Sequence, residues 1–270
     1  MSRITIVFDK LRLQGRKALI PFITAGDPEP AMMVPLMHGL VKAGADVIEL
    51  GVPFSDPMAD GPTIQRSSER ALKHDVGLKD VLTMVAEFRK DDPYTPVVLM
   101  GYANPIEAMG YEKFTARAKE CGIDGVLTVD YPPEECAEWV GHLERHQIDA
   151  IFLLSPTTPQ ARIEQVAKMA QGYVYYVSLK GVTGALNLDL NDVTNKLAQL
   201  RSIISIPIGV GFGIRDGTTA KAVAEFADAV VVGSRIIEEI ETSPKEEALT
   251  NVCHLVKNLR SAIDEAGGIS

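Results

Sequence analysis

Long apolar runs are missing from this 270-residue chain: none approaches the roughly 18 residues that a membrane span requires, so no segment is expected to cross a bilayer. Cysteine is scarce. Cys121, Cys136 and Cys253 are odd in number and widely spaced, with no CxxC pair, which removes the usual zinc and dithiol spacings and predicts reduced thiols. Positive charge is outweighed, with 27 Lys and Arg against 36 Asp and Glu for a net charge of -9 and a pI near 5.1. No local Lys/Arg cluster offsets that balance, so nucleic acid is not an expected partner. The opening MSRITIVFDKLRLQGRKALIPF scatters its charges and has no continuous apolar core, which does not fit a cleaved secretory signal and points to the cytoplasm. Linkers and low-complexity tracts are also lacking. A single domain over residues 1–270 is therefore expected, since α/β barrels of roughly 250 residues fold as one unit.

What the chain does have is alternation. From Lys17 onward, eight short apolar runs are separated by segments of helical period: ALIPFIT (18–24), DVIEL (46–50), PVVLM (96–100), GVLTV (125–129), AIFLL (150–154), YVYYV (173–177), IPIGV (206–210) and DAVVV (228–232). Continuous apolar strands separated by helices imply parallel pairing buried on both faces, wound one way by right-handed crossovers. Eight such units close most simply into a (β/α)8 TIM barrel, with extra short helices in the longer βα loops. An open doubly wound sheet is the alternative, and no GxGxxG follows the first strand to favour it. Thr158 and Pro159 before QARIEQVAKMA, and Ser243, Pro244 and Glu246 before the last periodic segment, have the chemistry of helix starts. Residues 2–13 read as an amphipathic helix over the barrel floor, with Ile4, Val7, Phe8 and Leu11 on one side.

The stretch ADVIELGVPFSDPMADGPTIQ, residues 45–65, puts a carboxyl inside a strand that otherwise reads as buried. Desolvating a carboxylate costs several kcal/mol unless it is paired, hydrogen-bonded or kept protonated, so Glu49 needs a reason. Period-2 alternation sends Val47 and Glu49 to one face and Ile48 and Leu50 to the other. If the first face is the barrel interior, Glu49 points into the mouth where active sites of this architecture assemble. Apolar walls there raise its pKa toward the working range of an acid and base. A structural Glu bonded to a neighbouring hydroxyl is the alternative. Asp60 stands before Gly61, which is also ordinary turn chemistry, and composition alone does not decide its role.

Two glycine-bearing loops follow the seventh and eighth strands: Gly211, Phe212 and Gly213, then Gly233 and Ser234. Both open into helix-like segments, the arrangement that presents backbone N–H groups to a phosphate. The loop after the sixth strand adds Gly181, Thr183 and Gly184 and has the composition of a lid. Other features carry less. His142 and His146 lack the adjacent Glu of a zincin helix, so no metal site is expected and a solvated helix face is the reading. Tyr173, Tyr175 and Tyr176 read as strand residues, of which only those facing inward can touch a ligand, and Trp139 reads as packing on an outer helix.

ELGVPFSDPMADGPTIQ, together with PFITAGDP, MGYANPI, YYVSLKGVTGA and GVGFGIRD, resembles the tryptophan synthase α-subunit family from about residue 15 to 265, in order and spacing. The resemblance implies a metal- and cofactor-independent reverse aldol cleavage of indole-3-glycerol phosphate. It implies that Glu49 and Asp60 are the catalytic carboxylates. Gly184, Phe212, Gly213, Gly233 and Ser234 are implied at the phosphate. Phe22, Met100, Tyr102, Leu127, Leu153, Tyr175 and Thr183 are implied at the indole. It further implies a pyridoxal-phosphate β subunit as partner in an α2β2 assembly, with Pro53, Asp56 and Asn104 toward it. Leu179 and Lys180 stand where the family often has a basic or small residue. Two rivals remain at this level: another phosphosugar-processing barrel in which Glu49 abstracts a proton from carbon, and a non-catalytic modulatory subunit.

Overall fold

The computed structural model describes residues 2–177, 190–211 and 213–266. All eight apolar runs form strands: β1 (Ala18–Thr24), β2 (Ile48–Gly51), β3 (Val97–Gly101), β4 (Gly125–Thr128), β5 (Asp149–Leu154), β6 (Val174–Val177), β7 (Ile208–Gly211) and β8 (Ala229–Val232). They pair in sequence order, every pair parallel, and β8 returns to β1 to close the barrel. The open-sheet alternative is thereby excluded.

Helices occupy the connections. They are α1 (Arg3–Leu13) ahead of the barrel, α2 (Pro30–Lys42), α3 (Pro62–Leu72) and α4 (Leu78–Phe88), then α5 (Ala103–Met109), α6 (Tyr111–Cys121) and α7 (Ala137–Arg145). The second half contributes α8 (Gln160–Met169), α9 (Leu190–Arg201), α10 (Gly217–Ala224), α11 (Ser234–Thr242) and α12 (Ala248–Ala266). Both α3 and α4 lie between β2 and β3, and both α5 and α6 between β3 and β4, as the extra helices expected in the long βα loops. No helix among the described residues is long and apolar enough to cross a membrane.

Strand alternation divides the core in two. Ala18, Ile20, Val47, Val98, Leu127, Ile151, Tyr173, Ala229 and Val231 fill the barrel, whereas Leu19, Ile48, Leu50, Leu99, Val126 and Val230 pack against the helices. Ile4, Phe8 and Leu11 of α1 belong to the inner cluster, with Val7 packed beside them, so α1 plugs the floor as its periodicity predicts. Trp139 packs in the outer layer against Tyr111 and Phe114.

Two helix starts differ from expectation. The Thr158 hydroxyl accepts from the Ser155 N–H at 2.9 Å and so closes the loop after β5, leaving Pro159 as the residue before α8. Regular helix after Ser243 begins at Ala248, following a turn in which the Glu247 and Ala248 N–H groups bond to the Pro244 carbonyl. The Ser243 hydroxyl takes the Asn251 amide instead. In both cases a neighbouring polar group competed for the capping hydroxyl.

Acids below the strands organise the N-terminal end of the barrel. Asp46, Asp124 and Asp228 each accept the N–H of a residue near the start of the preceding strand, Leu19, Val97 and Ile208, at 2.9 Å. Each also meets an arginine: Arg260 at 3.0 Å, Arg89 at 2.7 Å and Arg201 at 3.0 Å.

Candidate active site

Glu49 is carried by β2 with its side chain inside the barrel and no solvent exposure. Its Oε1 accepts a hydrogen bond from the Tyr173 hydroxyl, and Oε2 is buried with no hydrogen-bond partner. Loss of water disfavours the charged form, and burial pushes this carboxyl from its ordinary 4.5 up to about 7, with the Tyr173 bond opposing. Near neutral pH the group therefore exists in both protonated and ionised forms, which suits a residue that must give and take a proton. Tyr173 is itself buried and packs on Phe8 of α1, ring centroids 5.9 Å apart. The floor plug thus backs the only phenol bonded to Glu49 among the described contacts.

Asp60 lies in the loop from β2 to α3. The Gln65 side-chain amide, one turn into α3, holds the Asp60 carbonyl at 2.8 Å. Tyr102, directly after β3, accepts the Ala59 N–H at 3.0 Å, lines the cleft beside Asp60 and stacks on Phe54 at 5.1 Å. Burial pushes the Asp60 carboxyl upward and the Tyr102 hydroxyl opposes it. Both acids therefore face phenols.

Asp60 lines a cleft together with Phe22, Met100 and Tyr102, three of the residues expected at an aromatic ring. Leu127 lies in the inner cluster, and Leu153 and Tyr175 pack on it from above. Alternation puts Tyr173 and Tyr175 inside and Tyr176 against the helices. Gly51 and Gly211 make room for two of these rings. A Cβ at Gly51 would stand 2.6 Å from the Phe22 ring, and one at Gly211 would stand 2.1 Å from the Tyr175 hydroxyl.

At the β8 end, Gly233 immediately precedes α11, Ser234 is its first residue, and no side chain caps the helix. The Ile236 N–H already bonds to the Gly233 carbonyl at 2.8 Å, so the Ser234 and Arg235 N–H groups are the first-turn donors that an anion could take. Gly213 takes the left-handed conformation, φ +72°, in the neighbouring loop. Thr183, Gly184, Phe212, Leu179 and Lys180 lie outside the described residues. Asp56 is exposed on the loop after β2 and Asn104 in the first turn of α5, whereas Pro53 is buried within this chain. His142 and His146 are not a freely solvated face: both are partly buried and turn toward Glu112 of α6, at 3.2 and 3.7 Å. Among the described residues no group of three or more His, Cys, Asp or Glu is arranged to hold a metal.

Several residues of the site were not singled out from sequence. Thr24, Ile64, Ser68 and Val129 also line the cleft. Ile64 and Ser68 are four apart on α3, one face of the helix that directly follows the Asp60 loop, and that spacing was the available signal. For Tyr173 the signal was its position two residues before Tyr175, on the inward face that also carries Glu49.

A closed parallel barrel with a near-neutral buried carboxyl in its C-terminal mouth, a second acid over an apolar cleft and an uncapped helix start beside it defines a (β/α)8 enzyme equipped for acid–base chemistry. A family model described as tryptophan synthase alpha chain matches residues 8–264. The chain is 77% identical over 266 residues to the tryptophan synthase alpha chain of Nitrosospira multiformis, covering 98% of this chain and 95% of that one. It is 69% identical over 264 residues to that of Nitrosomonas europaea, covering 98% and 96%. The crystal structure of tryptophan synthase subunit alpha from Legionella pneumophila superposes with a TM-score of 0.93 at 46% identity, covering 98% of this chain and 99% of that one. The chain belongs to the tryptophan synthase alpha chain family, lyases that cleave indole-3-glycerol phosphate in tryptophan biosynthesis.

Proposed function

We propose that Glu49 and Asp60 divide the reverse aldol reaction between them. Glu49 delivers its proton to indole C3, which leaves the ring nitrogen electron-poor. It then takes the proton of the hydroxyl on the adjacent side-chain carbon. The C–C bond breaks as that oxygen becomes the aldehyde of glyceraldehyde 3-phosphate, the bonding pair returns to the ring, and Glu49 is left protonated as at the start. Asp60 accepts the indole N–H as positive charge builds there, from its place on the wall of the cleft. The observation that carries this reading is Glu49 itself, buried in the barrel with a carboxyl raised to about 7 and one oxygen unpartnered.

Phe22, Met100, Tyr102, Leu127, Leu153, Tyr175 and Thr183 are assigned to the flat ring, and Gly184, Phe212, Gly213, Gly233 and Ser234 to the phosphate. The steps asked of this chain are proton transfers and hydrogen bonding, which its own side chains supply. The partner we infer is a β subunit carrying pyridoxal phosphate, in an α2β2 assembly. The exposed Asp56 and Asn104 support a docking face made of the loop after β2 and the start of α5, with Pro53 shaping that loop from within. The test is purified chain incubated with indole-3-glycerol phosphate, with and without a β subunit, while indole is followed. Asp60→Asn is expected to fold normally and to lose about 100-fold in kcat. Near-normal turnover by that variant would remove Asp60 from the mechanism.

A further inference from the structure

Helix α3 is tied down on three sides by side chains that the proton-transfer scheme does not use. Its Ser67 hydroxyl meets the Thr24 hydroxyl at the end of β1, 2.6 Å away and buried. Arg70 places a fork on Asp27, Nε to Oδ1 at 2.6 Å and Nη2 to Oδ2 at 2.9 Å, and Asp27 has no solvent exposure. The remaining guanidinium nitrogen of Arg70 reaches Glu241 of α11 at 2.9 Å, and Arg66 adds a second fork to the same carboxylate at 2.7 Å. One arginine therefore joins the loop after β1, the helix that follows Asp60, and the helix whose first residue is Ser234.

The backbone completes the link. Gln65 fixes the Asp60 carbonyl to α3, and Ile64 and Ser68 of the same helix line the cleft. A shift of α3 relative to α11 would thus carry Asp60 away from a substrate anchored by its phosphate. A planar fork with two partners fixes angle as well as distance, which a lysine at the same place does not. Buried ion pairs contribute little net stability against well-packed apolar groups, so conformational definition is the better account of this one.

We propose that Arg70 is a positioning residue for the cleavage reaction: bonded to Asp27 and to Glu241, it holds the helix behind Asp60 in register with the helix that receives the phosphate. This rests on the roles given above to Asp60 and to α11.

The experiment compares Arg70→Lys, Arg70→Met, Glu241→Gln and Asp60→Asn in the full chain. It measures kcat and KM for indole-3-glycerol phosphate, inhibition by glycerol 3-phosphate as a probe of the phosphate site alone, and thermal unfolding. Glu241→Gln removes a partly exposed charge and keeps the fold testable if Arg70→Met is poorly folded. Because a small misplacement is costly when groups must be aligned, Arg70→Met and Glu241→Gln are expected to lower kcat by about 10-fold, with glycerol 3-phosphate inhibition within about twofold of wild type. Arg70→Lys is expected to fall between Arg70→Met and wild type. Wild-type kcat in Glu241→Gln, alongside a large loss in Asp60→Asn, would overturn the positioning role and leave the carboxylate assignment standing. Parallel losses in kcat, phosphate affinity and unfolding temperature would also overturn it, by showing general loosening. Full turnover by Asp60→Asn would instead overturn the assignment on which the proposal rests.

Discussion

Acids stand at both ends of this barrel, and those at the floor meet different partners from Glu49 and Asp60 at the mouth. At the N-terminal end, Asp46, Asp124 and Asp228 each receive a strand N–H and an arginine, and Asp124 receives a second arginine, Arg3, at 2.8 Å. At the C-terminal end, Glu49 and Asp60 meet phenols and no cation among the bonds described. An arginine and a strand N–H together give each of these floor acids a fixed structural partner set. Leaving a carboxyl in an apolar mouth with only a phenol raises its pKa and makes it reactive, at a cost in stability. Acids with an arginine brace the fold, Asp27 at the mouth among them, whereas Glu49 and Asp60 are left without one among the bonds described.

That contrast can be broken from either side. The largest effect is expected at the mouth: Glu49→Gln should fold like wild type by circular dichroism yet lose about 1000-fold in kcat, since the amide can neither give nor take the proton. At the floor the pattern reverses. Asp124→Ala takes the carboxylate from the largely buried Arg89, leaving it only backbone carbonyls, and should cost about 3 kcal/mol in denaturant unfolding, while turnover per folded molecule stays within about twofold of wild type.

A third test concerns the cost of the reactive acid. The Glu49 carboxyl is raised from its ordinary 4.5 to about 7 in the folded chain, so between those values the unfolded chain ionises first and wild-type stability falls as pH rises. Above pH 7 the full penalty, about 3 kcal/mol, is in force, whereas below 4.5 both states are neutral and it vanishes. Glu49→Gln lacks this slope. It should be more stable than wild type at pH 8 and lose that advantage near pH 4, as read by urea unfolding at the two pH values. The smallest effect is expected at Tyr173. Its hydroxyl holds the Glu49 pKa down, so Tyr173→Phe should move the Glu49 limb of the kcat profile upward by about one pH unit. An unmoved limb would show that the phenol does not tune the acid.

The contrast between the two ends also decided how much could be read from sequence. The eight strands were legible to within two residues, because parallel strands buried on both faces leave unbroken apolar runs. Glu49 was legible for the same reason, as the one acid interrupting such a run. Asp60 was not, since Asp before Gly has many uses, and only the family resemblance singled it out. The partners of these acids were hidden. Tyr173 lies 124 residues from Glu49, and nothing local to either marks the bond. The Asp27 to Arg70 fork and the arginines at the floor are likewise products of closure. Ser243 and Thr158 show the converse, local capping chemistry drawn off by neighbours the linear pattern did not weigh.

The central claim is that Glu49 is poised near neutrality because it is buried without a cation. Infrared difference spectra of the carboxyl band, recorded against pH for wild type and Glu49→Gln, isolate this one group. The account predicts a protonated carboxyl band, missing from the variant, that titrates with a midpoint near 7. A midpoint near the ordinary 4.5 would contradict it.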